Sequence, residues 1–231
     1  MFFLPVLLFF LIGYLILLGG LFFFLKLGVI SFAFQRLGIP PDLVFTLLLL
    51  TLIGSGINIP IKKLHSGQVM EQQVVNFYGW KFQVPVAAAR ETTVLAINVG
   101  GAIIPSLISL YLIFRWGGLF WEFVIATAIV TFLVNRVARP VKGLGIATPA
   151  LFPPLVAALV AFLVSLISPD GIQSAPVIAY VSGTLGTLIG ADLMNLKKIP
   201  ELGAPVASIG GAGTFDGVFL TGIIAVILTS L

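Results

Sequence analysis

Long runs of apolar residues, separated by short polar stretches, make up most of the sequence. A helix that crosses the hydrocarbon core of a bilayer needs about 20 mainly apolar residues, with roughly 17 as the lower limit. Seven runs meet this criterion and predict seven transmembrane helices. They cover residues 2–25, 43–59, 94–114, 118–134, 149–168, 174–196 and 215–231.

The first run is expected to remain in the protein as a membrane anchor. It has no basic segment before it, and no small-residue cleavage site follows it. Its apolar stretch is also far longer than the hydrophobic region of a signal peptide.

Two segments between the predicted spans are long enough to have a structure of their own. Residues 26–40 place apolar side chains around a few polar ones, which is typical of a helix lying in the membrane interface. Residues 62–91 are the only extended polar stretch, and two runs rich in Val, Phe, Tyr and Trp flank Tyr78-Gly79 within it. This pattern predicts a β-hairpin insertion at 62–91 in a single membrane domain that covers residues 1–231.

Composition agrees with a protein whose solvent is lipid. Of 231 residues, 59% are hydrophobic and 9% are charged, and the mean hydropathy is +1.19. Soluble domains draw about a quarter of their residues from Asp, Glu, Lys and Arg. The net charge of +4 is dispersed along the chain, which excludes a nucleic-acid partner and leaves membrane lipid as the expected one.

The distribution of basic residues predicts the orientation of the chain. With seven spans, the loops after the second, fourth and sixth lie on one side and the remaining loops lie on the other. Because Lys and Arg concentrate in cytoplasmic loops, the richer side is predicted to be cytoplasmic, as is the N-terminus, with the C-terminus outside. The richer side has nine basic residues, Lys62, Lys63, Lys81, Arg90, Arg136, Arg139, Lys142, Lys197 and Lys198, and the other has Lys26, Arg36 and Arg115.

The available side-chain chemistry is narrow. The chain has no cysteine and one histidine, which excludes disulfides and thiolate sites and argues against a multi-histidine metal site. No metal and no cofactor is therefore expected. Any reaction has to be carried out by carboxylates, hydroxyls or backbone groups.

Two of the eight acidic residues fall within predicted spans at similar depth. Asp192 lies five residues before Lys197, roughly 7 to 8 Å along a helix from the cytoplasmic edge. Asp216 opens the seventh predicted span. Because the sixth and seventh spans are consecutive and antiparallel, the two carboxyl groups are expected to face each other.

The residues around the two aspartates favour a functional site over a purely structural role. Residues 209–215 are rich in glycine, and non-helical backbone at membrane depth is tolerated only where it is buried in protein or lines a wet cavity. Residues 148–154 contain three prolines, which prevents a regular helix at the start of the fifth span. The residues predicted to bind a substrate are Gly210, Gly211, Gly213, Thr214, Phe215, Pro149, Ala150 and Leu151.

Three interpretations follow from this pair. Two carboxyl groups about 3 Å apart share a proton, and such a pair activates water against a peptide carbonyl. A cation or proton relay through a transporter uses intramembrane acids in the same way. In the third interpretation the aspartates only satisfy nearby backbone amides. The spacing alone does not choose among these three.

Parts of the sequence resemble two groups of known proteins. The segments GGAGTFDGVFLTGIIAVILT, INVGGAIIP and GADL are similar to an uncharacterised family of prokaryotic multi-pass membrane proteins. The site alone resembles intramembrane aspartyl proteases of the presenilin, signal peptide peptidase and prepilin peptidase type. Gly213-Thr214-Phe215-Asp216 has their glycine-x-hydrophobic-Asp form, and Pro149-Ala150-Leu151 has the letters of a third element. In this chain that element precedes both aspartates.

The leading functional expectation is an intramembrane aspartyl-type peptidase in a prokaryotic plasma membrane, with Asp192 and Asp216 as catalytic residues. Its substrate would be a membrane-embedded polypeptide that unwinds near the site and pairs as a strand with the cytoplasmic hairpin. The alternatives are a transporter or proton-coupled carrier that uses the same aspartates as a relay, and a non-catalytic assembly factor. The expected fold is an all-α polytopic membrane protein with about seven transmembrane helices and a small cytoplasmic β-hairpin.

Overall fold

The computed structural model describes residues 12–15, 17, 19, 28–65, 74–77, 80–83, 92–141, 145–202, 206–211 and 215–231. Within these residues the chain is mostly helical and has a small sheet. Most of the first predicted span, residues 2–25, lies outside the described part of the chain.

Prolines mark where many of the helices begin. Pro41, Pro105, Pro153 and Pro176 stand in the first turn of their helices, where a missing N–H leaves no hydrogen bond unmade. The described helices are α1 (Gly28–Arg36), α2 (Pro41–Ser55), α3 (Ile104–Arg115), α4 (Phe120–Val137), α5 (Phe152–Ser165), α6 (Ala175–Thr187) and α7 (Leu220–Ser230).

By length and composition, two helical stretches in the described residues can cross a membrane. They are Gly117–Val137, which contains α4, and Gly171–Pro200, which contains α6. α1 and α2 add a third if the pair, bent by 117°, is one span. Three further apolar helical stretches, Val99–Arg115, Phe152–Ser165 and Gly217–Ser230, are shorter. These helices indicate that the protein associates with a membrane.

α6 is the centre of the bundle. It contacts α3, α4, α5 and α7, and nearly all of its residues are buried. Glycines let its neighbours approach closely, since an added methyl group on Gly183 would meet Ala157 of α5, and one on Gly186 would meet Val130 of α4. The small-residue positions of the sixth predicted span therefore serve helix packing.

One face of α1 packs into the bundle, and the expected position of residues 26–40 in the membrane interface stays a prediction. Phe34 of α1 is fully buried, with ring centroids 6.5 Å from Tyr180 and 6.4 Å from Phe219. The sharp turn between α1 and α2 makes this possible, because Gly38 has a φ of +74° and prolines follow it. The chain thus turns back so that one face of α1 joins the core.

A three-stranded sheet joins parts of the chain that are distant in sequence. Its order is β1 (Asn58–His65), β4 (Thr92–Asn98) and β7 (Val206–Ile209), with β1 antiparallel and β7 parallel to β4. The prediction that residues 94–98 begin a transmembrane helix is therefore wrong. Because β4 has a partner on each side, its apolar run is typical of a central strand.

Two short hairpins complete the described strands. β2 (Val74–Phe77) and β3 (Trp80–Gln83) pair antiparallel at the position where the sequence places two β-prone runs. β5 (Arg139–Val141) and β6 (Gly145–Ala147) form a second pair that the sequence did not indicate. The cytoplasmic location of the first hairpin stays a prediction.

Glycines allow the backbone of the turn before α3 to contact the backbone of α2 and of the residue that follows β7. A methyl group on Gly101 would overlap the carbonyl oxygen of Gly210, and one on Gly100 would overlap that of Thr51. Gly210, which follows β7, has a φ of +68°. These contacts hold the end of β7 against the residues that lead into α3.

We therefore expect the substitution Gly101→Ala to destabilise the protein. Its Cβ cannot be accommodated without moving the backbone of Gly210, and overpacking of this kind costs about 1 to 3 kcal/mol. Thermal unfolding of the purified protein in detergent measures the loss. The matched control is Gly118→Ala, which meets no atom within 4 Å and should change stability by less than about 0.5 kcal/mol. Equal stability of the two variants would contradict the close contact.

Candidate functional site

Asp192 lies where the central helix changes its winding. α6 continues into a π-helical turn, Leu188–Asp192, and then into a 3-10 helix, Leu193–Leu202. Single π-helical turns are rare and occur often at functional sites. The change in winding places Asp192 at the end of the turn, next to residues that follow β7.

The Asp192 carboxylate binds the turn that ends β7. Its Oδ2 atom accepts a hydrogen bond of 2.7 Å from the backbone N–H of Gly210. The N–H of Gly211 donates to the carbonyl of Ser208 at 3.2 Å and closes a β-turn in which Gly210 takes the left-handed position. The acidic side chain of one segment therefore fixes the first glycine of the glycine-rich segment that leads to Asp216.

The structure describes Asp216 only in part. Its backbone belongs to a second π-helical turn, Phe215–Phe219, which leads into α7. The side chains of Phe215 and Asp216, and the residues Gly213 and Thr214, lie outside the described residues. The pairing of the Asp192 and Asp216 carboxyl groups stays a prediction.

Asn98 ties four segments together beside this turn. Its Nδ2 atom donates to the carbonyl of Ser55 at 2.7 Å and to Oδ1 of Asn58 at 3.0 Å. Its Oδ1 atom accepts from the N–H of Gly101 at 2.7 Å and so caps a third π-helical turn, Val99–Ile103. Ser208 of β7 also donates to Asn58. Asn98 thus joins the end of α2 to the sheet and to the turn before α3.

Two more asparagines supply partners to the backbone around Asp192. Asn195 donates from Nδ2 to the carbonyls of Gly190 and Ala191 at 3.2 and 2.8 Å, and Asn135 of α4 donates to Gly190 at 2.9 Å. Lys198 then donates to Oδ1 of Asn195 at 2.8 Å. Neither asparagine was predicted as a site residue, although an amide within an apolar span is a signal in itself.

Non-α backbone from three segments thus collects at one end of the bundle. The Val99–Ile103 turn contacts the Phe215–Phe219 turn and also α2. Gly101 touches Gly210, which Asp192 binds. In a membrane protein, irregular backbone of this kind is found where it is buried in protein or lines a water-filled cavity. Gly210 and Gly211, which are two of the residues predicted to bind a substrate, therefore lie next to Asp192. Their role in binding stays a prediction.

The other predicted substrate-binding element lies at the surface. Pro149, Ala150 and Leu151 form the exposed turn before α5. β6, which leads into this turn, contacts the Leu188–Asp192 turn. Among the described residues, no three His, Cys, Asp or Glu side chains lie together in a group that could hold a metal ion.

The site offers two features to a substrate, a carboxyl group and a strand edge. Asp192 offers a partly buried carboxyl group that is held in place by a backbone amide. β7 offers a strand with an open edge in the described sheet, because β4 pairs with one of its sides only. The strand and the carboxyl group meet at Gly210.

Comparison with known proteins supports a family assignment for the whole of this region. The family described as "Protein of unknown function (DUF1614)" matches residues 52–228, which include Asp192, the glycine-rich segment and the seven strands of the described residues. The search of curated proteins gave no match, and neither did the search of solved structures. Since the match covers most of the chain, the protein belongs to the DUF1614 family.

Proposed function

We propose that this protein is an intramembrane aspartyl-type peptidase that cleaves membrane-embedded polypeptides with Asp192 and Asp216. One observation carries the proposal. The Asp192 carboxylate is bonded to Gly210, the residue at which an edge strand ends and the glycine-rich connection to Asp216 begins. The Asp192 carboxyl group and the end of β7 therefore lie together, at the start of the segment that leads in sequence to Asp216.

The proposed membrane arrangement follows from the apolar runs and the basic residues. The chain crosses a prokaryotic plasma membrane seven times, with its N-terminus in the cytoplasm and its C-terminus outside. Lys62, Lys63, Arg139, Lys197 and Lys198 are exposed, as a position in cytoplasmic solvent or among lipid headgroups requires. This orientation puts Asp192 and Gly210 near the cytoplasmic leaflet.

The edge of β7 is the proposed docking strand for the substrate. A membrane-embedded helix must unwind before its peptide bonds become accessible, and an unwound segment needs partners for its backbone. Adding it to β7 supplies main-chain hydrogen bonds at an open edge. β7 is favoured over the predicted hairpin because β7 leads directly to Gly210, which Asp192 binds.

The two aspartates would then carry out hydrolysis of the peptide bond. One carboxylate removes a proton from water, and the resulting hydroxide attacks the carbonyl carbon. The other carboxyl group gives its proton to the carbonyl oxygen. The first carboxyl group then gives the proton it took from water to the nitrogen, the C–N bond breaks and the amine leaves. As the carbonyl re-forms, a hydroxyl of the intermediate returns its proton to the second carboxylate, which restores the pair. The two aspartates are interchangeable at this level because one proton is shared between them.

The second candidate function is a transporter or proton-coupled carrier. The observation that favours it is the convergence of three π-helical turns, since broken helices form the substrate sites of many transporters. The third candidate is a non-catalytic membrane assembly factor. The hydrogen bond from Gly210 to Asp192 is consistent with it, because in that case the aspartate only satisfies a backbone amide. The same aspartate variants separate the three candidates.

The first experiment separates the structural role of Asp192 from a chemical one. An asparagine retains an oxygen that accepts the Gly210 hydrogen bond, whereas an alanine leaves that N–H without its partner. We expect Asp192→Asn to keep the unfolding free energy within about 0.5 kcal/mol and Asp192→Ala to lose about 1 to 3 kcal/mol. Thermal unfolding in detergent measures both. Two equally stable variants would show that the Gly210 bond does not anchor the turn.

The second experiment tests catalysis. Membrane proteomes of cells that carry Asp192→Asn or Asp216→Asn should accumulate an uncut membrane protein, with cleavage lowered by about 10²-fold or more. Asp170→Asn is the control, because Asp170 lies in an exposed turn before α6. The peptidase proposal fails if cleavage persists in both variants. Unchanged proteomes with altered solute uptake would favour the carrier, and loss of a membrane complex would favour the assembly factor.

A further inference from the structure

An apolar groove of about 520 Å³ runs along α4 and α6. Its walls include Phe123, Thr127 and Thr131 from α4, Val181 and Leu185 from α6, and Ile189 from the π-helical turn that follows α6. Phe120 lines one end, while Phe132 and Met194 line the other. Phe132 and Met194 are more than half exposed. The groove therefore offers an open apolar surface along the length of two helices.

A basic residue stands one turn beyond the last groove residue on each wall. On α4, Arg136 follows Phe132 by four residues, and its guanidinium carbon lies 4.9 Å from the centre of the Phe132 ring. On the other wall, Lys197 follows Met194 by three residues within the 3-10 helix. Residues three apart share a face of a 3-10 helix, so Lys197 projects from the same face as Met194.

We propose that this groove binds an anionic phospholipid, with an acyl chain along α4 and α6 and the phosphate between Arg136 and Lys197. The apolar lining suits the chain, and the two cations at one end suit the phosphate. Arg136 and Lys197 are both exposed, and within the described part of the chain neither forms an ion pair with an acidic side chain. The inference concerns how the protein sits in the membrane and does not require peptidase activity.

Charge distinguishes a lipid from a helix as the occupant. A transmembrane helix of a partner brings its own Lys and Arg to the cytoplasmic end. In the proposed orientation those charges would meet Arg136 and Lys197, and like charges repel. A phosphate brings the opposite charge to the same place. The groove also reaches Ile189 and Met194, which stand three residues before and two residues after Asp192, so the lipid would lie beside the candidate site.

Lipid binding to the purified protein in neutral detergent tests the proposal. We expect phosphatidylglycerol to bind more tightly than phosphatidylcholine, as read by native mass spectrometry and by the rise in unfolding temperature. The double variant Arg136→Gln/Lys197→Gln should bind phosphatidylglycerol roughly tenfold or more weakly. The control Lys62→Gln/Lys63→Gln removes the same charge from exposed positions on β1 and should bind like the unchanged protein.

A third variant tests the groove itself. Thr127→Trp places a large side chain on the groove wall and should weaken binding of phosphatidylglycerol although all charges remain. The unfolding temperature of each variant without added lipid is first compared with that of the unchanged protein. If Thr127→Trp does not fold, Leu185→Trp on the opposite wall replaces it.

Equal binding of the two lipids would overturn the proposal, and so would equal effects of the groove-end pair and the β1 pair. Displacement of phosphatidylglycerol by a synthetic apolar helix with basic ends would assign the groove to a protein partner instead. Parallel assays with Asp192→Asn keep this test separate from the peptidase proposal, because that variant should bind lipid normally even if cleavage is lost.

Discussion

Backbone N–H and C=O groups that leave regular structure in an apolar medium must find other partners, since each unpaired group costs several kcal/mol. This requirement organises the end of the bundle where Asp192 lies. Asp192 accepts from Gly210, Asn98 accepts from Gly101, and Asn195 donates to the carbonyls of Gly190 and Ala191. These three side chains thus supply hydrogen-bond partners to the backbone at or beside the points where the helices change their winding.

The same requirement accounts for the sheet. β4 stands between β1 and β7, so its backbone groups are paired on both sides although the strand leads directly into the α3 region. Glycine makes the junction possible, because the backbones of Gly101 and Gly210 approach too closely for any side chain. The resulting unit fixes the position of Gly210, the first glycine of the glycine-rich segment, relative to the turn that follows α6.

Local sequence signals identified the helices well and the sheet poorly. Apolar runs placed α2 to α7 near their observed positions, because this signal depends on neighbouring residues. The prolines at 153 and 154 were expected to prevent a regular helix, whereas they stand in the first turn of α5, where proline is tolerated. Residues 94–98 were misread because a short apolar run has no periodicity that separates a buried strand from a buried helix. The partner of this strand, β7, lies over a hundred residues away, and that pairing has no local signature. Antiparallel spans predicted that the carboxyl groups of Asp192 and Asp216 face each other, and this stays a prediction. The hydrogen bond from Gly210 to Asp192 was not predicted, and Asn98 and Asn195 were not recognised as partners of the surrounding backbone.

The central claim of the peptidase account is that the carboxyl groups of Asp192 and Asp216 face each other at about 3 Å. Because the chain has no cysteine, oxidation of the Asp192→Cys/Asp216→Cys double variant in native membranes measures this proximity directly. A disulfide requires Cα atoms about 4.4 to 6.8 Å apart, and facing carboxyl groups allow Cα atoms a few ångströms farther apart, so the oxidation step includes a short bis-thiol cross-linker. We predict that oxidation protects both thiols of this variant from maleimide labelling, while the Asp170→Cys/Asp216→Cys pair stays labelled. Equal labelling of the two pairs would contradict the claim.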